Sequence, residues 1–221
     1  MIIAIDGPSG AGKSTLGRML ARELGLLYID TGAMYRAVAL AVTEAGVSTT
    51  DEEAVAEVAR RAEVTLTGDP ERLQVRLGGR DVSEEIRTEQ VGHTASVVSA
   101  IPAVRRELVR QQRELGARGG VVLDGRDIGT VVFPSADVKF FLTARAEERA
   151  RRRYEEERAK DQDQTFEDTL ADIAARDRRD TTREDSPLRP APDAVTVDTT
   201  GLSIQGVFER MMEVVRRRAA V

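Results

Sequence analysis

Residues 2–24 read IIAIDGPSGAGKSTLGRMLAREL, and this stretch decides the fold. Its first four residues are a continuous apolar run, as expected for a strand that is buried on both faces. A glycine-rich segment follows, and apolar residues then recur at helical spacing from Lys13 to Leu24. A second short apolar run, from Leu26 to Ile29, comes directly afterwards. The order strand, glycine loop, helix, strand predicts a βαβ unit and therefore a parallel sheet.

The glycine-rich segment matches a phosphate-binding loop at every position. Residues 7–14 read GPSGAGKS and fit the pattern G-x-x-x-x-G-K-[ST]. Such a loop wraps backbone N–H groups around phosphate oxygens at the N-terminus of a helix, where the helix dipole favours anions. We expect Lys13 to bridge the β- and γ-phosphates of ATP and the Ser14 hydroxyl to help hold Mg²⁺. The predicted ATP-binding residues of this loop are Gly7, Pro8, Ser9, Gly10, Ala11, Gly12, Lys13, Ser14 and Thr15.

Three further apolar runs continue the pattern of strands along the chain. They are Val121–Leu123, Val138–Leu142 and Ala194–Val197, and helical stretches separate them. A last helix is predicted from about Ser203, with its apolar residues assigned to the core. The predicted fold class is therefore α/β, with a five-stranded parallel sheet flanked by helices. We expect one unit whose core comprises about residues 1–30, 118–144 and 186–221.

Two segments interrupt the alternation of strands and helices. The first, about 31–117, has period-2 patterning and turn residues at about 63–82, which predict a small antiparallel sheet. A helix start with capping-box spacing lies at Thr49–Glu53, and further helices are predicted around 84–98 and 102–115. The second segment, about 145–185, is rich in charges and predicts solvated helix; no sustained apolar heptad supports the alternative of a coiled coil. In a phosphotransferase, we expect the first segment to bind the molecule that accepts the phosphoryl group and the second to close over the site as a lid.

The composition excludes several classes of site. The chain has 221 residues, a net charge of −5, no cysteine and a single histidine, His93, so it can form neither disulfides nor thiolate or histidine-cluster metal sites. We interpret His93 as a structural residue. The basic residues number 33 and include only three lysines, Lys13, Lys139 and Lys160. This bias toward arginine suits phosphate recognition, and a GC-rich genome would also produce it.

Charge and hydropathy also restrict the partners and the location of the chain. The negative net charge disfavours nonspecific binding to nucleic acid, and no apolar run is long enough to span a bilayer. The N-terminal apolar run is too short for a signal peptide. No long apolar stripe is left without a predicted place in the core. We therefore expect a cytoplasmic monomer that binds neither nucleic acid nor membrane.

Two more motifs follow predicted strands, where ligands lie in parallel α/β sheets. Residues 30–36 read DTGAMYR and residues 124–129 read DGRDIG. Arg36 and Arg126 can reach an anionic acceptor there, and Asp124 is a candidate for the Mg²⁺ shell. The alternatives are that Arg36 is an exposed helix arginine and that the later motif holds an Asp–Arg pair that only stabilises its loop. Because the chain has no N-K-x-D segment for guanine and no room for the further domains of a large ATPase, a small-molecule kinase remains.

The chain resembles the bacterial cytidylate kinase family over essentially its whole length. The matching segments are GPSGAGKST at 7–15, DTGAMYR at 30–36, DVSEEIRTEQV at 81–91, DGRDIGTVVFP at 124–134, and RDRRD at 176–180 with Arg183. The antiparallel insert is also typical of the bacterial branch. The resemblance implies transfer of the γ-phosphoryl group of ATP to CMP and dCMP in pyrimidine metabolism, with Mg²⁺ accompanying ATP.

The resemblance also implies roles for individual residues. The phosphate of CMP would be held by Arg36, Arg126 and Arg176. The cytosine edge would be read by Ser96, Arg105 and Asp127, and the sugar hydroxyls by Asp180 and Arg183. Further contacts to CMP would come from Thr31 and Tyr35. The lid arginines that close over ATP would be Arg149, Arg152 and Arg153. The catalytic residues would be Lys13, Arg126 and Arg176. Ser14 stands where some members have glycine, and Thr31 where serine is common; both keep a small side chain.

Two other functions are compatible with the residues alone. One is a kinase of similar shape that acts on UMP or shikimate. The other is a regulator that binds ATP without catalysis. The second group of arginines argues against a regulator, because a binding module needs no second phosphate pocket.

Overall fold

The computed structural model describes residues 1–158 and 165–219. Its strands are β1 (Ile2–Asp6), β2 (Leu27–Asp30), β3 (Val64–Thr67), β4 (Gln74–Leu77), β5 (Arg80–Asp81), β6 (Val121–Gly125), β7 (Val138–Thr143) and β8 (Val195–Asp198). Its helices are α1 (Lys13–Leu24), α2 (Thr31–Glu44), α3 (Glu52–Arg61), α4 (Glu89–Val98), α5 (Pro102–Gly116), α6 (Ala146–Arg158), α7 (Phe166–Thr182) and α8 (Ile204–Ala219). A 3₁₀ turn spans Glu85–Arg87, and a π-helical turn spans Ile128–Val132.

The central sheet has five parallel strands in the order β2-β6-β1-β7-β8, which confirms the predicted α/β fold. In this register Asp124 pairs with Asp30 on one side and with Ile5 on the other. Three carboxylates, Asp6, Asp30 and Asp124, therefore lie side by side at the carboxyl-terminal ends of the neighbouring strands β1, β2 and β6.

Helix α1 ends at a glycine in the left-handed conformation. Gly25 has φ +64°, and its N–H bonds back to the last turn of the helix. The N–H of Leu26 still bonds to the Ala21 carbonyl at 2.8 Å, so β2 begins at Leu27, one residue later than predicted.

Two hydrophobic layers cover the two faces of the sheet. Because successive side chains of a strand alternate in direction, Ala4 and Leu123 pack with the α2 and α5 layer. Ile3 and Ile5 pack with α1 and α8 on the opposite face. Asp30, Asp124 and Gly125, at the carboxyl ends of β2 and β6, border an open cleft.

The insert between β2 and β6 contains the predicted antiparallel sheet, in the order β3-β4-β5. Two predictions within it are wrong in detail. Helix α3 is capped by the Asp51 carboxylate, which accepts the Ala54 N–H at 3.0 Å, so no glutamate completes a capping box. The helix predicted over 84–98 is interrupted at Thr88, whose extended backbone ends the 3₁₀ turn and whose side chain caps α4.

The charged segment forms the predicted helices, α6 and α7, which pack against each other and expose many of their charged side chains. The stretch 159–164, which contains Lys160 and part of the predicted lid, lies outside the described residues. Within the described ranges, none of the helices has the length and apolar character that a membrane span requires.

Candidate active site

An open cleft of about 690 Å³ lies at the carboxyl ends of the parallel strands. The phosphate-binding loop, α2, α4, the loop after β6, α6, α7 and the start of α8 all contribute residues to its lining. Of the predicted site residues, the lining includes Ser9, Gly10, Ala11, Gly12, Lys13, Ser14, Thr15, Thr31, Tyr35, Arg36, Arg105, Asp124, Arg126, Asp127, Arg152, Arg153, Arg176, Asp180 and Arg183. Gly7, Pro8, Ser96 and Arg149 lie outside it.

The phosphate-binding loop has the backbone that its glycines permit. Gly10 and Gly12 have φ values of +76° and +92°, in the left-handed region that favours glycine. A Cβ on Gly7 would lie 2.1 Å from the Leu142 carbonyl oxygen at the end of β7. Lys13 is buried, and its Nζ donates to the Pro8 carbonyl at 2.7 Å. Burial, and next the Arg126 guanidinium, lower the pKa of Lys13.

A buried carboxylate lies beside the loop. The Ser14 hydroxyl donates to Asp124 Oδ2 at 2.8 Å, and the Tyr28 hydroxyl donates to Asp124 Oδ1 at 3.0 Å. Burial, and next the nearby Asp30, raise the pKa of Asp124. The Thr31 hydroxyl donates to the Asp124 carbonyl at 2.7 Å, so the start of α2 is fixed to the end of β6.

Arginines from three elements form the second cationic part of the cleft. Arg126 Nε donates to Asp180 Oδ2 at 2.8 Å. Arg36 Nη1 donates to the Ile86 carbonyl at 3.1 Å. Arg176 Nε is buried and has no hydrogen-bond partner among the described residues. Burial, and next Arg126, lower the pKa of Arg176 to about 9. This group of side chains therefore carries more positive than negative charge.

A buried ion pair forms the end of the cleft beyond these arginines. Arg105 Nη2 donates to Asp127 Oδ2, and both side chains are almost fully buried. The Arg105 guanidinium lies 5.6 Å from the centroid of the Tyr35 ring, and its Nη1 donates to the Ser99 carbonyl at 3.2 Å. Tyr35 Oη, Arg105 Nε and Arg183 Nη2 are buried without a hydrogen-bond partner in the described part of the chain. Such groups favour a polar ligand at this end.

Two predicted residues, Ser96 and Arg149, do not line the cleft. The Ser96 hydroxyl accepts a hydrogen bond from Arg179 Nε at 3.1 Å. Arg149 is buried; its guanidinium donates to both carboxylate oxygens of Asp177, at 3.1 and 2.6 Å, and to the Ser9 carbonyl at 3.1 Å. His93 is exposed on α4 and does not line the cleft.

Several lining residues were missed by the sequence predictions. The loop after β8 and the first turn of α8 contribute Thr199, Leu202, Ile204 and Val207. The helical spacing of the last helix predicts Ile204 as a core residue, yet it is 43% exposed. Its position after a parallel strand could have identified it, since ligands lie at carboxyl ends. Arg152 Nη2 donates to the Thr199 carbonyl at 2.9 Å, so helix α6 contacts this loop.

The carboxyl groups of the cleft are not grouped into a metal site made by protein alone. The described residues contain no group of three or more His, Cys, Asp or Glu side chains that could hold a metal ion. Ser14 and Asp124 offer two neighbouring oxygen groups beside the loop. A hard cation that is also bound by phosphates needs no more than that.

Comparisons with known proteins point to one family. A sequence profile described as cytidylate kinase matches residues 3–217. Cytidylate kinase from Geobacter sp. (strain M21) is 53% identical over 220 residues, which cover 100% of this chain and 94% of that protein. Cytidylate kinase from Bacillus subtilis (strain 168) is 48% identical over 217 residues, which cover 98% and 97%.

Solved structures support the fold. Shikimate kinase from Bacteroides thetaiotaomicron aligns with a TM-score of 0.50 at 14% identity, covering 98% of both chains. An uncharacterized protein from Eubacterium ventriosum ATCC 27560 aligns with a TM-score of 0.54 at 11% identity, again covering 98% of each chain. At these identities the likeness concerns the fold alone.

Proposed function

The chain belongs to the cytidylate kinase family, and on that basis we propose that it transfers the γ-phosphoryl group of ATP to CMP or dCMP within this cleft. The observation that carries the proposal is the presence of two cationic pockets in one cleft, the phosphate-binding loop with Lys13 and the arginines Arg36, Arg126 and Arg176. A phosphotransferase needs both, because donor and acceptor each bring phosphate.

The donor pocket would hold ATP along the loop from Gly7 to Thr15. Backbone N–H groups and the N-terminus of α1 would receive the phosphates, and Lys13 would contact the β- and γ-phosphates. The apolar surface of Leu202 and Ile204 offers a place for the adenine ring, opposite Arg152 and Arg153. Arg149 would act from behind the loop, where it joins the lid helices to Ser9.

Mg²⁺ would accompany ATP beside Ser14 and Asp124. Their oxygens suit a hard cation whose other ligands are phosphate oxygens and water. Bound there, it would neutralise charge on the β- and γ-phosphates. Asp124 would be a ligand of the ion or accept hydrogen bonds from its bound water. The hydroxyls of Ser14 and Tyr28 orient that carboxylate.

The acceptor pocket would select cytosine through complementary donors and acceptors. A carboxylate only accepts hydrogen bonds, so Asp127 matches the exocyclic amine of cytosine and not the carbonyl that uracil has in its place. Arg105 donates only, so it matches the acceptors N3 and O2. Ser96 would contribute to the same edge, and Asp180 and Arg183 would contact the sugar. Thr31 and Tyr35 would complete the pocket.

Catalysis would consist of positioning and charge stabilisation. The acceptor phosphate and the γ-phosphate would lie in line, held from opposite sides by the two pockets. Lys13, Arg126 and Arg176 would stabilise the charge on the transferring group. Closure of the lid, about residues 145–185, over the core and the acceptor insert would keep water from accepting that group.

We further propose that the enzyme acts as a cytoplasmic monomer whose partners are its nucleotides, without nucleic acid or membrane. Both pockets are built from one chain, which supports a monomeric unit. Light scattering after gel filtration should give the mass of one chain, with and without nucleotides. A stable dimer would contradict the monomer.

The test of the function is an ADP-release assay with ATP, Mg²⁺ and each of CMP, dCMP, UMP, AMP and GMP. We expect kcat/KM to be highest for CMP, with dCMP next. A preference for UMP would indicate a related kinase with another acceptor. ATP binding without ADP production from any monophosphate would indicate a regulator.

A further inference from the structure

A buried carboxylate lies at the junction of the two pockets but does not line the cleft. Asp6 is the last residue of β1, directly before the phosphate-binding loop, and it is 3% exposed. Its Oδ1 accepts the Ile128 N–H at 2.8 Å, and its Oδ2 accepts the Gly129 N–H at 2.8 Å. Both amides belong to the DGRDIG motif of the acceptor side. The carboxylate therefore joins the donor strand to the acceptor loop.

The two amides need this external partner. They are the first N–H groups of the π-helical turn at Ile128–Val132. Hydrogen bonds within the turn begin later, where the N–H groups of Val131 and Val132 reach the Asp127 carbonyl at 2.8 and 3.1 Å. The first amides of a helical turn have no partner inside it. Left unpaired in a buried position, each would be destabilising.

The packing leaves little freedom at this contact. A Cβ on Gly129 would lie 3.1 Å from Lys139 Cδ and 3.4 Å from Asp6 Oδ2. Glycine therefore allows the backbone to approach the carboxylate closely. The Lys139 ammonium is engaged elsewhere, since it donates to Asp193 Oδ1 at 2.9 Å.

We propose that Asp6 is a positioning residue that holds the acceptor loop against the end of β1 and thereby fixes Arg126 and Asp127 for CMP. The inference rests on the proposed function of those two residues. They directly precede the amides that Asp6 binds, so a loop released from Asp6 displaces both side chains together. A displacement of about 1 Å in such a site can reduce the rate roughly 10²-fold.

The contact requires the ionised carboxylate. A protonated carboxyl would place its O–H against an N–H, and one of the two bonds would be lost. Burial is the largest influence on Asp6 and raises its pKa to about 7, against the lowering effect of the two amides. The charged groups that face it are Asp127, which raises the pKa, and Lys13, which lowers it. Acidification below this value should therefore release the acceptor loop.

The kinetic test compares Asp6→Asn with Asp137→Asn. Asp137 is an exposed carboxylate that accepts the Ile2 N–H at 2.6 Å, at the other end of the same strand. For Asp6→Asn we expect KM for CMP to rise at least about tenfold and kcat/KM for CMP to fall roughly 10²-fold. We expect a smaller change in Kd for an ATP analogue. Asp137→Asn should retain the wild-type constants. Wild-type kcat/KM for CMP in Asp6→Asn would overturn the proposal.

Hydrogen exchange of the wild-type protein provides a second test that needs neither activity nor a folded variant. At pH values well above the pKa of Asp6, the amides of Ile128 and Gly129 should exchange far more slowly than those of an open loop. Exchange at the rate of an open loop would overturn the proposal, even if Asp6→Asn does not fold. If the wild-type enzyme does not phosphorylate CMP, the proposed function fails, and the exchange rates still decide whether Asp6 holds the loop.

Discussion

Arg126 and Arg176 line the same cleft, yet their pKa values shift in opposite directions. Burial is the largest influence on both and disfavours their charges, but at Arg126 the carboxylates of Asp180, Asp124 and Asp177 together outweigh it, and its pKa is raised. At Arg176 burial, followed by repulsion from Arg126, prevails, and the pKa falls. An anionic ligand between them would relieve this repulsion. The residues therefore favour phosphate more strongly than two isolated arginines would.

The first prediction concerns Arg176. Replacing it by alanine should lower kcat/KM for CMP roughly 10³-fold, because a cation at the transferring group contributes about that much. The matched control is Arg178→Ala, since Arg178 is exposed on the same helix and does not line the cleft. Steady-state ADP release measures both variants. An Arg176→Ala enzyme with wild-type constants would contradict the catalytic role.

The second prediction concerns selection of the base. Asp127→Asn should lower the ratio of kcat/KM for CMP to that for UMP at least about tenfold, because an amide can donate to the uracil carbonyl where a carboxylate cannot. Activity with both substrates should also fall, since Arg105 loses its buried partner. Asp185→Asn is the control, because Asp185 lies near Arg105 but outside the cleft lining. An unchanged ratio would place recognition of the base elsewhere.

Single residues differed in how well the sequence predicted them. Lys13 and Arg126 lie in short motifs whose spacing fixes their position relative to a strand, so the motif alone located them. Asp6 and Tyr28 act on partners about a hundred residues away, and no local pattern signals such pairs. Ile204 was misassigned because helical spacing does not distinguish a core face from a cleft face.

Helices α6 and α7 are joined to the phosphate-binding loop by one side chain. Arg149 of α6 binds Asp177 of α7 and the Ser9 carbonyl of the loop. A Cβ on Gly10 would lie 2.9 Å from Arg149 Cβ, so the loop and α6 pack directly against each other. Helices α6 and α7 are therefore in direct contact with the phosphate-binding loop through Arg149.

The third prediction follows from this contact. Arg149→Ala should lower the free energy of unfolding by about 3 kcal/mol, because it leaves a partly buried carboxylate without its partner. It should also weaken ATP binding. Arg151→Ala is the control, as Arg151 is exposed on the same helix. Urea denaturation and titration with a fluorescent ATP analogue measure the two effects. A variant as stable as the control would contradict the structural role.

Elements were predicted well where the sequence pattern is long. Four strands of the central sheet, which are largely apolar runs, and α1 and α8, which have helical periodicity, were located within about one residue. Short interruptions within these patterns were not predicted. The interruption at Thr88 and the π-helical turn at Ile128–Val132 depend on hydrogen bonds that tertiary structure selects. Periodicity averages over such breaks.

The cleft as a whole contains several buried titratable side chains. Because the charge of a bound nucleotide changes their pKa values, nucleotide binding is coupled to protonation. Burial lowers the pKa of Lys13 in the folded protein from its ordinary value of 10.5 to about 7. Between these two pKa values, Lys13 is protonated in the unfolded chain and largely neutral in the folded protein. The contribution of Lys13 to the free energy of unfolding therefore decreases as the pH falls between them. The phosphates of ATP should raise the pKa of Lys13 again.

The fourth prediction is that ATP binding takes up a proton. Near pH 8, calorimetric titrations in buffers of different ionisation enthalpy should reveal uptake of up to about one proton per ATP. Near pH 6 the uptake should be smaller, because Lys13 is then largely protonated before ATP binds. Proton release near pH 8, or no exchange of protons, would contradict the described electrostatics.

The measurement that tests the central claim most directly is a competition for a labelled phosphoryl group. ATP labelled at the γ-position is incubated with the enzyme, Mg²⁺ and equal concentrations of CMP and UMP, and the labelled products are separated. Selection of cytosine and exclusion of water together predict that most of the label appears in CDP. Label found mainly in UDP, or in inorganic phosphate, would contradict the account.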